Sequence, residues 1–316
     1  MKRLLPLPLL ALALLFACAG ACGGKGARPP EAAKADLDAD PLALLPPAAV
    51  VVASVDARAL FDAPGLGAKL AALADGLLPL GPDAGFEARR DVDRIVVGSY
   101  AQAGVDFAAI VSGRFDTGKL AAAATSRSGA PILRTMYAGV ATYAVGQGVY
   151  AVLTGKTVVA GTSEGVRRVL DRVHDGKPGR ALPAWVLETL QTPGAEVAVA
   201  ADLASQPLPA IAIGALRLPW TEGIRQVRAL GDLQKPGMNV AATLTYGTEA
   251  QASAAADGAQ TLGTLLKLLG PLLGGVSVRD LEVQARGADV QCKLAVDEPT
   301  LAHLLALAPR ALPEAR

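Results

Sequence analysis

The sharpest chemical signal in this chain is Gly161-Thr162-Ser163-Glu164-Gly165, a G-x-S-x-G run placed between a strand-like and a helix-like segment. On a tight strand-to-helix turn such a serine can act as a nucleophile, provided a histidine and an acid reach it. His303 lies downstream, with Asp202, Asp232, Asp280 and Asp297 between, so the order serine, acid, histidine is met. Two features oppose it. The motif follows a series of hairpins rather than strand-helix-strand units, and His303 falls inside a helical pattern. The competing reading is a capped helix start, in which Thr162 and Ser163 satisfy first-turn amides.

Thr154-Gly155-Lys156-Thr157 ends like a phosphate loop, but Tyr150 stands where the upstream glycine belongs and Val158-Val159-Ala160 continues as strand. A phosphate loop must open a helix, so a hairpin turn is expected here. Gly65-Leu66-Gly67 lacks the third glycine of a dinucleotide fingerprint. Three cysteines and two histidines make a protein-built metal cluster improbable, and no motif asks for a cofactor. Cys292 sits in the strand-like run Val290 to Val296 with no histidine or basic cluster beside it. It therefore reads as a small buried hydrophobe rather than a reactive thiol.

Arg167, Arg168, Asp171, Arg172, His174, Asp175, Lys177 and Arg180 form a local charge cluster, expected to be a solvated helix face with three- and four-spaced ion pairs. An anionic partner is the alternative. Across the chain 30 Lys+Arg stand against 29 Asp+Glu, so nothing suggests a broad electrostatic footprint for nucleic acid. Hydrophobic residues make up 52% and aromatics 4%, which calls for a core of small aliphatic side chains. Trp185 and Trp220 are expected to anchor packing.

The elements that must hold these residues alternate between strands and helices. Strands are expected at Val50 to Val55, Arg94 to Tyr100, Asp106 to Phe115, Ile132 to Met136, Val140 to Val145, Val149 to Leu153 and Thr157 to Ala160. Further strands are expected at Glu196 to Asp202, Met238 to Tyr246, Val276 to Ala285 and Val290 to Val296. Their connections are too short for parallel crossovers, so the pairing must be antiparallel. Leu66 to Leu78 reads as a helix, and a strand-cap-helix junction recurs four times. These junctions are at Asp116-Thr117, Thr162-Ser163, Thr248 to Gln251 and Asp297 to Pro299. Leu262, Leu265, Leu266, Leu269, Leu272 and Leu273 lie along one helical face, either as packed core or as the wall of an apolar cavity. The expected fold class is α+β, antiparallel sheets with capped helices packed on one face. Two similar subdomains are expected, residues 48–178 and 179–316.

At the N-terminus Lys2 and Arg3 precede Leu4 to Ala17, a run of 14 residues broken only by Pro6 and Pro8. This reads as an export signal, too short for a membrane-spanning helix of roughly 20 residues. Leu15-Phe16-Ala17-Cys18 resembles the lipobox of bacterial lipoproteins, with Phe16 departing from the usual small residue. Ala19-Gly20-Ala21-Cys22 is a second, weaker match. The resemblance implies lipidation at Cys18, or alternatively Cys22, after removal of residues 1–17, and a residue such as Ala19 after the cysteine implies outer-membrane sorting. Losing Lys2 and Arg3 takes the formal charge from +1 to −1. Residues up to Pro47 are Ala-, Gly- and Pro-rich and read as a flexible tether. The body is only broadly similar to large exported proteins of alanine-rich bacteria.

The expectation is an exported, non-catalytic envelope lipoprotein acting as an interaction or structural module, with an envelope protein or a lipid as partner. The alternative is a carrier of a hydrophobic ligand. A serine hydrolase at Ser163 comes third.

Overall fold

The computed structural model describes residues 37–302 apart from 78–79, 81, 102–105, 127–128, 147, 208–211, 214–215, 218, 234–236 and 270–277. Cys18, Cys22 and His303 lie outside the described residues. The fold combines helices with antiparallel sheet, so the α+β class holds. The chain divides into two compact units meeting at Pro183 and Ala184.

In the first unit α1 (Pro41–Leu44) precedes β1 (Val51–Val55), α2 (Ala57–Asp62), α3 (Gly67–Leu77) and α4 (Ala88–Asp91). The hairpin of β2 (Val92–Ala101) and β3 (Asp106–Gly113) follows, then α5 (Thr117–Ala122). A meander of β4 (Leu133–Tyr137), β5 (Val140–Val145), β6 (Gly148–Val152) and β7 (Thr157–Gly161) leads into α6 (Ser163–His174). The strands lie in the order β1-β2-β3-β7-β6-β5-β4, every neighbouring pair antiparallel. Short connections drive the meander, two residues between β4 and β5 and between β5 and β6, and four between β6 and β7. Ala138 and Gly139 take φ of 47° and 78°, the left-handed pair that a tight hairpin needs.

The cross-strand register divides this sheet into two faces. Val111, Val158, Tyr143 and Tyr150 face one way and form a core with Ala57 and Phe61 of α2, Ala71 of α3, Ala88 of α4 and Leu120 of α5. Ile110, Val159 and Ala151 face the other way, where α6 packs with its buried Val166, Val169 and Leu170. Helices therefore cover both faces of this unit, not one. The physical cause is visible in β1: all five of its residues are buried, and a strand without polar alternation has no face to give to water.

In the second unit α7 (Ala184–Leu190) and β8 (Val197–Asp202) are followed by the short strands β9 (Ala212–Ile213) and β10 (Leu216–Arg217). Next come β11 (Ile224–Asp232), β12 (Gly237–Tyr246), α8 (Glu249–Leu269), β13 (Val278–Arg286) and β14 (Asp289–Asp297). The antiparallel order is β13-β14-β12-β11-β8. Here strands alternate, with buried Leu244, Val283 and Val290 under α8 and exposed Arg228, Gln284 and Gln291 opposite. β11 was not foreseen, because arginines at 225 and 228 break its apolar alternation.

The expected tether is shorter than residues 18–47. From Leu37 onward the chain is part of the body: Leu37, Leu42, Leu44 and Leu45 are buried, the last two completely. Asp40 caps α1 by accepting from Leu42 N at 3.1 Å. Composition alone hid this, because Pro41, Pro46 and Pro47 bracket a leucine cluster too short to show a period. Leu45→Ala is expected to lower the unfolding free energy by about 2–5 kcal/mol in urea denaturation. A loss near zero would return this segment to the tether.

Candidate functional site

The junction of β7 and α6 holds the G-x-S-x-G residues, and each glycine has a steric reason. A side chain at Gly161 or Gly165 would strike the carbonyl oxygen of Phe107 on β3. Thr162 N donates to that same carbonyl at 3.1 Å. The Thr162 hydroxyl accepts from Gly165 N at 3.0 Å as the helix cap and from Phe107 N at 3.3 Å. It lies 3.2 Å from both Asp106 Oδ1 and Phe107 O, to one of which its proton goes. Ser163 is the first helical residue and is buried. β7 is antiparallel to both β3 and β6, so the strand-to-helix turn sits on no parallel sheet. Asp202, Asp232, Asp280 and Asp297 belong to the second unit.

What the junction does gather is a polar seam. Arg168 meets Asp106 at 2.6 Å, and its guanidinium lies 5.0 Å from the centre of the Tyr100 ring. Burial pushes the Tyr100 phenol above its usual range, and its hydroxyl donates to Pro46 O at 3.3 Å. Arg172 donates to the carbonyls of Gly179 at 2.6 Å and Ala43 at 3.3 Å, while Gly179 N also donates to Ala43 O. Asp40 pairs with Arg180 at 2.6 Å. Asp38 accepts the hydroxyls of Thr154 at 2.5 Å and Thr157 at 2.7 Å. Residues 38–46 are thus sewn to the rest of the first unit at four positions, Asp38, Asp40, Ala43 and Pro46.

The charge cluster on α6 is therefore more than a solvated face. Arg168, Arg172 and Arg180 grip other segments, Arg167 lies over Tyr137 at 5.2 Å, and Asp171 accepts the Tyr137 hydroxyl at 3.1 Å. The Thr154 to Thr157 segment is the β6–β7 turn, its Thr154 hydroxyl accepting from Lys156 N and Thr157 N. Trp185 stacks under Arg228, and the Trp220 carbonyl accepts the Tyr246 hydroxyl at 2.6 Å.

Two open clefts are present. One of about 560 Å³ is lined by Asp38, Thr117, Ala141, Tyr143 and Thr154. The other, about 460 Å³, is lined by Pro193, Asp232, Asn239, Glu282 and Lys293, on the face of the second sheet opposite α8. The described part of α8 is closely packed: Gly263 sits so near Leu281 that a methyl group at 263 would collide with it. Leu262 is half-buried, Leu272 and Leu273 lie outside the described residues, and nothing is described of the Leu265, Leu266 and Leu269 side chains. Among the described residues no three His, Cys, Asp or Glu are placed to hold a metal, and no helix is long and apolar enough to cross a membrane. Cys292 is half-buried on β14, and burial raises its thiol.

No protein-family profile matches the chain, and no curated protein does. Solved structures do. Crystal form I of TP0453, a Treponema envelope lipoprotein, is similar at a TM-score of 0.52 and 12% identity, covering 85% of this chain and 97% of that chain. Crystal form III of TP0453 gives 0.51 and 12%, covering 84% and 98%. The likeness is one of fold.

Two measurements follow from this geometry. Thr162→Ala is expected to cost about 1–2 kcal/mol in urea denaturation through loss of the cap, while Ser163→Ala stays within about 0.5 kcal/mol. With its thiol raised, Cys292 is expected to react with iodoacetamide at mildly alkaline pH more slowly in the folded chain than in the denatured one. Equal rates would show the thiol to be open to solvent.

Proposed function

We propose that this chain is an exported, lipid-anchored α+β protein of the bacterial envelope that acts, without catalysis, as an interaction or structural module. The observation that carries the non-catalytic reading is the use made of Gly161 to Gly165. Both glycines and Thr162 are consumed in seating α6 against the Phe107 carbonyl, which leaves Ser163 as a buried first-turn residue. A nucleophile elbow needs the opposite, an exposed hydroxyl above the sheet.

The envelope address is supported by the lipobox at Cys18, with Cys22 in reserve, and by a fold similar to that of an envelope lipoprotein. Ala19 after the cysteine favours outer-membrane sorting. The two units are halves of like design, each built of antiparallel strands with capped helices, and partners are an envelope protein or a lipid surface rather than a cofactor. The alternative, a carrier of a hydrophobic ligand, needs an apolar cavity beneath Leu262 to Leu273, and at Gly263 that helix packs against Leu281.

Fractionation of the producing bacterium tests the address. The wild-type chain is expected in the membrane fraction and the Cys18→Ser chain in the soluble fraction. An unchanged distribution would move the acyl chain to Cys22, and an unchanged Cys18→Ser Cys22→Ser double variant would remove the anchor from the reading.

A further inference from the structure

The end of the first unit where the chain joins the body has a composition of its own. Between Asp116 and Glu164 the sequence holds four basic residues, Lys119, Arg127, Arg134 and Lys156, and no acidic one. Among the described residues the large apolar side chains most open to solvent are Leu133, 62% exposed, and Met136, 45% exposed, both on the edge strand β4. Large apolar groups held in water on an edge strand mark a contact surface.

The register shows how this surface lies relative to the point where the chain enters. Met136 is opposite Ala141 and Arg134 opposite Tyr143, and both Ala141 and Tyr143 line the cleft that Asp38 also lines. Lys156 is exposed in the β6–β7 turn, whose Thr154 and Thr157 hold Asp38. The acids nearby are engaged: Asp38 by those hydroxyls, Asp116 by the start of α5 and by Lys119 at 3.7 Å, Asp83 by the Ala124 amide, Asp171 by the Tyr137 hydroxyl of β4 itself and Glu164 by Arg168 at 4.0 Å. Arg134 has no ion-pair partner among the described residues. The tight turn at Ala138-Gly139 makes Tyr137–Val140 a hydrogen-bonded pair. The amides of Arg134 and Met136 consequently point away from β5. At the start of the same edge the Ile132 amide is taken by the Ala124 carbonyl.

Residues 19–36 separate Cys18 from Leu37. Eighteen residues reach at most about 60 Å. An acyl anchor at Cys18 therefore keeps the Asp38 end of the first unit near the bilayer. We infer that this end, with β4 edge-on, rests on the anionic headgroups of the membrane that holds the anchor. Arg134 and Lys156 meet phosphates, as do the outward amides of β4, and Leu133 and Met136, on opposite faces of the strand, enter the interfacial layer. The contact is shallow, because an open sheet edge cannot enter hydrocarbon. This inference rests on the anchored reading for its geometry, but its test does not need the acyl chain.

The mature chain from residue 18, carrying Cys18→Ser and Cys22→Ser, is sedimented with vesicles of phosphatidylethanolamine and phosphatidylglycerol and, separately, of phosphatidylcholine. Binding to the anionic vesicles alone is expected, falling as salt is raised. Arg134→Glu with Lys156→Glu is expected to weaken it by about tenfold or more, and Met136→Asp to weaken it as well, with the thermal melt of each variant unchanged. These sites are exposed, so folding survives the substitutions. Equal binding to neutral vesicles, no binding, or a sedimentation profile showing that β4 pairs with a second copy instead would overturn the inference. Failure here with wild-type protein still in membranes leaves the anchor standing. Vesicle binding by a chain that the cell leaves soluble removes the anchor and keeps the surface.

Discussion

The carbonyl group of Phe107 is the point on which the first unit turns. It accepts from Thr162, and the room around it exists only because residues 161 and 165 have no side chain. Through Thr162 the start of β3, the end of β7 and the start of α6 are held at one place. Were α6 displaced, its Arg168 would lose Asp106 and Tyr100, and Arg172 would lose the carbonyls of Ala43 and Gly179. The N-terminal segment would then have its leucines in water. One helix seat thus supports both the second face of the sheet and the segment that covers it.

Arginine suits this seam better than lysine. Its guanidinium reaches two carbonyls from separate segments through one terminal nitrogen in Arg172, and a carboxylate and an aromatic face at once in Arg168. Buried polar contacts of this kind add little net free energy but are costly to leave unmade. They specify where the strap lies rather than how strongly it is held. The holding comes from Leu42, Leu44 and Leu45.

The two units solve the same problem of covering apolar strands in different ways. In the second unit, alternation lets α8 cover one face, while on the other Gln284 and Gln291 stay in water and Arg228 stacks on Trp185 of α7. Its edge strand β13 carries Arg279, Asp280 and Glu282 and a bulge, devices that discourage pairing with another strand. In the first unit β4 lacks a bulge, carries a single charge and displays Leu133 and Met136. The contrast is why the surface assigned to a membrane lies there.

Much was legible in the sequence because it is local. The caps at Asp116, Thr162 and Thr248 need only the next three residues, and each accepts from the third residue on. The meander follows from connection lengths, and the hairpin reading of Thr154 to Thr157 from the strand that continues after it. The expected export signal and lipobox are short patterns too, at residues 2 to 18, which lie outside the described residues. Tertiary structure alone decided what those elements face. The seating of α6 on Phe107, the double burial of the first sheet and the docking of residues 37–47 bring together positions up to 140 apart, as in Asp40 with Arg180. Propensity and periodicity report on neighbours along the chain. A carbonyl that forbids two side chains, or a leucine cluster too short to show a period, exists only once distant segments have met.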